Sequence, residues 1–163
     1  PVPVEDSVFL KSTVDAPSDH QDIIKIAQEV ASGAVTRWDA AVSVTRWVYG
    51  NIQYELTGSG ALEALGKRRG DCGPKSVLSL AMLRSLGVPA RLIGGLRYIG
   101  GQFGQHNWIE VKAMPGEWIP IDSTTGEIGR FSASHMVLWQ GGGALAPDAR
   151  PMQIEVLSFS KAE

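Results

Sequence analysis

Cys72, His106 and Asp122 are the residue types that thiol chemistry needs, and their settings along the chain suit that use. Cys72 is the only cysteine, and Gly73, Pro74 and a run of helix formers from Lys75 to Leu86 follow it. Apolar residues at Val77, Leu78, Leu80, Ala81, Leu83 and Leu86 recur at helical spacing, which leaves Lys75 and Arg84 for the wetter flank. Pro74 fits a first helical turn, and Gly87 with Pro89 is a stop. The cysteine is therefore expected at a helix N-terminus, where unpaired N–H groups and the positive end of the dipole stabilise a thiolate, the nucleophilic form. A lone cysteine is more often a small buried hydrophobe. Here the polar approach from Lys67 to Asp71 and the Gly-Pro that follows suggest an exposed elbow instead.

A base and an orienting carboxylate lie downstream. His106 heads a run with the strand formers Trp108, Ile109 and Val111. After the turn signal Met114-Pro115-Gly116, a second strand-like run from Glu117 to Ile121 ends in Asp122. An antiparallel hairpin would bring His106 and Asp122 to one sheet edge, where the carboxylate could hold the imidazole in one tautomer. Nucleophile, base and orienter would then be complete.

Several phrases in this order resemble the transglutaminase-like superfamily of papain-fold cysteine enzymes. They are Gly70-Asp71-Cys72, the Arg84 to Arg91 phrase RSLGVPAR, His106-Asn107-Trp108-Ile109-Glu110-Val111, and Trp118-Ile119-Pro120-Ile121-Asp122-Ser123-Thr124. The resemblance covers about residues 37–125. It implies an α+β fold in which N-terminal helices, the cysteine helix among them, pack on an antiparallel sheet carrying His106 and Asp122. It also implies acyl transfer on peptide or protein amides through a thioester, with Cys72, His106 and Asp122 as the triad. Hydrolysis is the expected outcome, as in a cysteine peptidase or amidase. Glutamine–lysine crosslinking and a catalytically silent binding domain are the alternatives. Papain-fold enzymes also use a second oxyanion donor upstream of the nucleophile, for which Gln53 and Tyr54 are candidates. Trp108 joins them as a candidate substrate contact. The sequence departs from the family after the cysteine, where Gly73, Pro74, Lys75 and Ser76 replace the acidic or aromatic residue of many relatives.

The rest of the chain is read as support. At 163 residues it suits a single domain able to bury its own core, and its start at Pro1 without a signal peptide suggests a piece excised from a longer protein with other domains. A net charge of −2 gives no reason to expect nucleic acid as a partner, and no apolar run has the roughly 18 residues needed for membrane insertion. With one cysteine no internal disulfide forms, and the compartment stays open. No cofactor is implied. Three scattered histidines and one cysteine match no zinc spacing, so no metal is expected. Ser7 to Val14 reads as an edge strand. Ser18 reads as the N-cap of a helix that stops at Gly33, with His20 a solvated residue of its first turn. A second helix runs from about Thr36 to Tyr49, with Trp38, Ala41, Val42, Thr45 and Val48 on one stripe, and a short one from Ala61 to Gly66. The segment Gly100 to Gln105 reads as a mobile loop entering on His106. His135, with no strand ending in a carboxylate expected near it, reads as structural. Gly141 to Gly143 reads as a turn, and Met152 to Phe159 as a closing strand.

Overall fold

The computed structural model describes residues 2–141 apart from 59, 115 and 132, so the expected closing strand from Met152 to Phe159 lies outside the described residues. Four α-helices precede the sheet: α1 (Gln21–Val30), α2 (Arg37–Asn51), α3 (Ala61–Lys67) and α4 (Cys72–Ser85). The strands are β1 (Ala90–Ile99), β2 (Gln102–Met114), β3 (Glu117–Asp122), β4 (Glu127–Ile128) and β5 (His135–Gln140). They form one antiparallel sheet in the order β4-β3-β2-β1-β5. No described helix is long and apolar enough to cross a membrane.

α4 is the hub. Every residue from Pro74 to Leu83 is buried, and the helix touches α1, α2, α3, β1 and β2. A helix apolar all round must be covered all round. The covering side chains include Ile23 and Ala27 of α1, Val44 and Val48 of α2, Ala61 and Ala64 of α3, and Ala90, Ile109, Val111, Ile119 and Ile121 of the sheet. Lys75 is the exception to the expected pattern. It is buried at 3% exposure, not on a wet flank, because α2 covers that side and the Tyr49 ring lies under its ammonium.

Other boundaries also move. Residues Val4–Leu10 form a 3-10 helix instead of an edge strand. It is held by the buried ion pair of Asp6 with Lys112 at 2.8 Å and the edge-on contact of Phe9 with Trp118. His20 and not Ser18 caps α1, its Nδ1 accepting the Asp22 N–H. Thr36 and Asp39 do form the capping box that opens α2. The expected loop before His106 shrinks to the two-residue turn Gly100-Gly101. Both glycines have positive φ, which suits the twist of a tight hairpin, so β2 starts at Gln102 and His106 sits inside it.

The sheet's remaining buried hydrophobic residues, Ile93, Leu96 and Trp108, lie outside the α4 cluster. β5 covers that part through a bulge opposite Gly94 and Gly95. A Cβ at Gly94 would fall 1.9 Å from the Trp139 ring, and one at Gly95 would fall 2.0 Å from the Met136 carbonyl oxygen. Only glycine lets β5 approach this closely. Gly94→Ala and Gly95→Ala are each expected to destabilise the domain by about 1–3 kcal/mol through overpacking. Thermal unfolding followed by circular dichroism would check this, at about 2–4 °C per kcal/mol for a domain of this size.

Candidate active site

Cys72 is the first residue of α4, half-buried at the surface. Asp71, which sequence reading treated only as part of a polar run, is the N-cap. Its Oδ1 accepts the Gly73 N–H at 3.0 Å, and its Oδ2 accepts the Thr57 N–H at 3.3 Å. One side chain thus closes the helix end and tethers the preceding loop beside it. That loop is fastened further by Gln53, whose N–H donates to the Arg68 carbonyl and whose carbonyl accepts from the Gly70 N–H.

The β2–β3 hairpin brings the other two residues together. Ile109 pairs with Ile121 and Glu110 with Pro120, which leaves Asp122 at the end of β3 facing His106. His106 Nε2 lies 2.7 Å from Asp122 Oδ2, with the side chains 6% and 0% exposed. The Thr124 N–H donates to the other carboxylate oxygen at 2.8 Å. With Nε2 engaged by Asp122, the ring's second nitrogen, Nδ1, stays available, and Cys72 lies near enough to act on the ring's charge.

These contacts set the charges. Burial disfavours the imidazolium, but the hydrogen bonds with Asp122 and Cys72, together with the charges of those two groups, raise the His106 pKa to about 9. Burial would likewise raise Asp122. The hydrogen bonds from His106 and His135, the His106 charge and the Thr124 N–H outweigh it and hold the carboxyl well below its usual range. Lys75, buried by α2, is shifted down, with the Asp122 charge opposing that shift.

Of the oxyanion candidates, Tyr54 comes beside the cysteine. Its side chain is largely exposed, and its phenol pKa is raised by what burial it has and then by the charges of Cys72 and Asp71. Gln53 is exposed as well, and its backbone serves the bridge to residues 68–70. Trp108 lies inside the sheet's packing. It is 1% exposed, its ring stacked on His106 and meeting His135 and Phe131 edge-on.

His135 does not sit apart as the sequence reading expected. β5 pairs with β1 and places His135 Nε2 3.4 Å from Asp122 Oδ2. The carboxylate it was thought to lack belongs to a strand three positions away in the sheet. His106, Asp122 and His135 are the one group among the described residues whose ligand atoms, all within 4.8 Å of one another, have the types that hold a metal ion. Three different strands supply them, so no short spacing in the sequence signals the cluster. The Gly94-Gly95 pair, odd in a strand, was the one sign that another element comes close.

A cysteine that opens a buried helix packed on a sheet bearing a histidine–aspartate pair defines a papain-like α+β fold. The chain belongs to the transglutaminase-like superfamily, whose model matches residues 24–123. Among solved structures, it resembles a candidate cysteine protease from Cytophaga hutchinsonii with a TM-score of 0.73 and 22% identity, over 86% of this chain and 48% of that one. It resembles the periplasmic domain of TgpA from Pseudomonas aeruginosa with a TM-score of 0.60 and 16% identity, over 77% and 49%. A candidate protease from Parabacteroides distasonis shares the fold at a TM-score of 0.52 and 10% identity, over 72% and 25%. No curated protein matches the chain. The chain spans about half the length of the first two structures.

The charge state of His106 has a consequence for stability. Its folded pKa, about 9, exceeds the ordinary 6.5, so its contribution is fully present below pH 6.5 and fades as pH rises through about 9. The melting temperature is expected to fall across that window, and His106→Gln should flatten the decline.

Proposed function

We propose that this chain carries out thiol-dependent acyl transfer on peptide or protein amides, with Cys72, His106 and Asp122 as its triad and hydrolysis as its outcome. The observation that carries this reading is the buried 2.7 Å His106–Asp122 pair together with a nearby cysteine on the first residue of a helix. In the proposed reaction the Cys72 thiolate attacks the amide carbonyl, and the charge moves to the carbonyl oxygen. As a first-turn residue Cys72 has an N–H with no intrahelical acceptor, free to donate to that oxygen. The Tyr54 hydroxyl, kept protonated, is the proposed second donor. His106 then protonates the departing amine, and the carbon–nitrogen bond breaks to leave a thioester on Cys72. Water, losing a proton to His106, attacks the thioester, and the acid product leaves as the thiol re-forms. Asp122 stays ionised throughout, holding the ring and its positive charge. The Cytophaga hutchinsonii and Parabacteroides distasonis structures, described as candidate proteases, favour hydrolysis over crosslinking as the reading to test first.

A pH series of Cys72 alkylation by iodoacetamide tests the triad. Labelling is expected to be fast at pH 6 and to be slowed toward an ordinary thiol by His106→Ala. Labelling that is negligible until about pH 8.5, the free-cysteine value, and indifferent to His106→Ala and Asp122→Asn would sink the proposal. Peptide and amine-donor screens then separate hydrolysis from crosslinking. With a cleaved peptide in hand, Tyr54→Phe is expected to lower kcat about 100-fold, and Gln53→Ala to leave it within a few fold.

A further inference from the structure

The proposed triad gives no role to His135, yet His135 is placed with more care than a packing residue needs. Its side chain is 3% exposed, and its Nε2 lies on the same carboxylate oxygen that His106 uses, at 3.4 Å against 2.7 Å. Its ring lies over Phe131 at 4.1 Å and meets Trp108 edge-on at 5.2 Å. Ser134 Oγ lies 3.2 Å from its Nδ1. A hydroxyl donating there makes Nδ1 the acceptor and Nε2 the donor, the tautomer that Asp122 requires. The surrounding charges are few. Glu127 Oε2 is 3.9 Å from Nε2, but that carboxylate is engaged by Arg97 at 3.2 Å and by the Thr125 hydroxyl at 2.8 Å. Asp122 is therefore the nearer acceptor. The His106 ring, 5.8 Å away centre to centre, is the other titratable group facing it.

We infer that His135 is a positioning residue for Asp122, a second imidazole that pins the shared Oδ2 so that the carboxylate stays aligned on His106 Nε2. The inference extends the acyl-transfer reading and rests on it for its use, though not for its geometry. Asp122 closes β3 and enters a turn, where one N–H donor, from Thr124, holds its Oδ1. Without His135, that single local N–H on Oδ1 would be the one restraint on the carboxylate's rotation about its Cβ–Cγ bond besides the group it is meant to orient. His135 supplies an independent anchor from β5, a different part of the sheet. Oriented partners of this kind, one shell behind the reacting atoms, set ligand direction and basicity in metal sites by the same logic.

The test uses His135→Phe, which keeps a ring against Phe131 and Trp108 but removes the donor, and His135→Gln, which returns an N–H at similar reach. The first readout is the downfield proton resonance of the His106–Asp122 hydrogen bond. It is expected to be broadened or lost in His135→Phe and retained in His135→Gln. The second is Cys72 alkylation at pH 6, expected to slow about fivefold in His135→Phe, the loss of one ordinary hydrogen bond, and to recover in His135→Gln. A resonance unchanged in His135→Phe would overturn the inference whatever the thiol does. Equal loss in both variants would also overturn it, leaving a packing role alone. A resonance that disappears and returns as expected, in a protein whose thiol is indifferent to His106→Ala, would uphold the positioning of Asp122 and remove the acyl-transfer reading only.

Discussion

A carboxylate with no exposed surface is tolerable only if its charge is answered on every side, and the fold is arranged around that requirement at Asp122. His106 and His135 meet one oxygen, the Thr124 N–H meets the other, and the buried Lys75 adds its charge from α4. Each answer comes from a different element: β2, β5, the turn after β3, and the cysteine helix. The ladder register of the hairpin, the bulge at Gly94 and Gly95, and the docking of α4 therefore all bear on one side chain. Neighbouring hydroxyls extend the same pattern. Ser79 of α4 and Ser123, the residue after Asp122, share a buried 2.6 Å hydrogen bond that fastens the end of β3 to the helix.

The strongly local parts of this arrangement were legible in the sequence. Pro74 and Gly87 mark the ends of α4 because their backbone restrictions act without any partner. The turn at 114–116 between two strand-like runs makes the His106–Asp122 meeting a matter of counting along a hairpin. The capping box of Thr36 and Asp39 is readable for the same reason. What failed was whatever depended on elements far apart in the chain. Lys75 looks like a flank residue until α2 is laid over it. His135 looks isolated because β5 joins the opposite side of β1 from the hairpin, and a strand order is not written in any spacing. Trp108 passes for a substrate platform as readily as a core residue, and only the packing of β5 and Phe131 around it decides. At the N-terminus, alternation from Ser7 to Val14 imitates a strand, yet the buried pair of Asp6 and Lys112 favours a tight helical turn.

Asp71 shows how much one short side chain can organise. By capping α4 and receiving the Thr57 N–H, it fixes the spacing between the helix end and the loop that carries Tyr54. The three hydrogen bonds of that loop to residues 68 and 70 finish the join. The loop bearing the proposed oxyanion donor is thereby referenced to the nucleophile's own helix, while the acid–base pair is referenced to the sheet.

That division separates two kinds of assembly. His106 and Asp122 are 16 residues apart and meet through a hairpin, a contact of low sequence separation with little loop-closure cost. Cys72 meets them only when the helical layer docks on the sheet. The histidine–aspartate pair thus reports that the hairpin exists, whereas the approach of Cys72 to His106 reports that the two layers have joined. A chain whose sheet is formed but whose helices are misdocked would hold an intact histidine–aspartate pair with no cysteine beside it. On the proposed reading, activation of Cys72 would be a built-in gauge of tertiary completion, silent in partly folded forms.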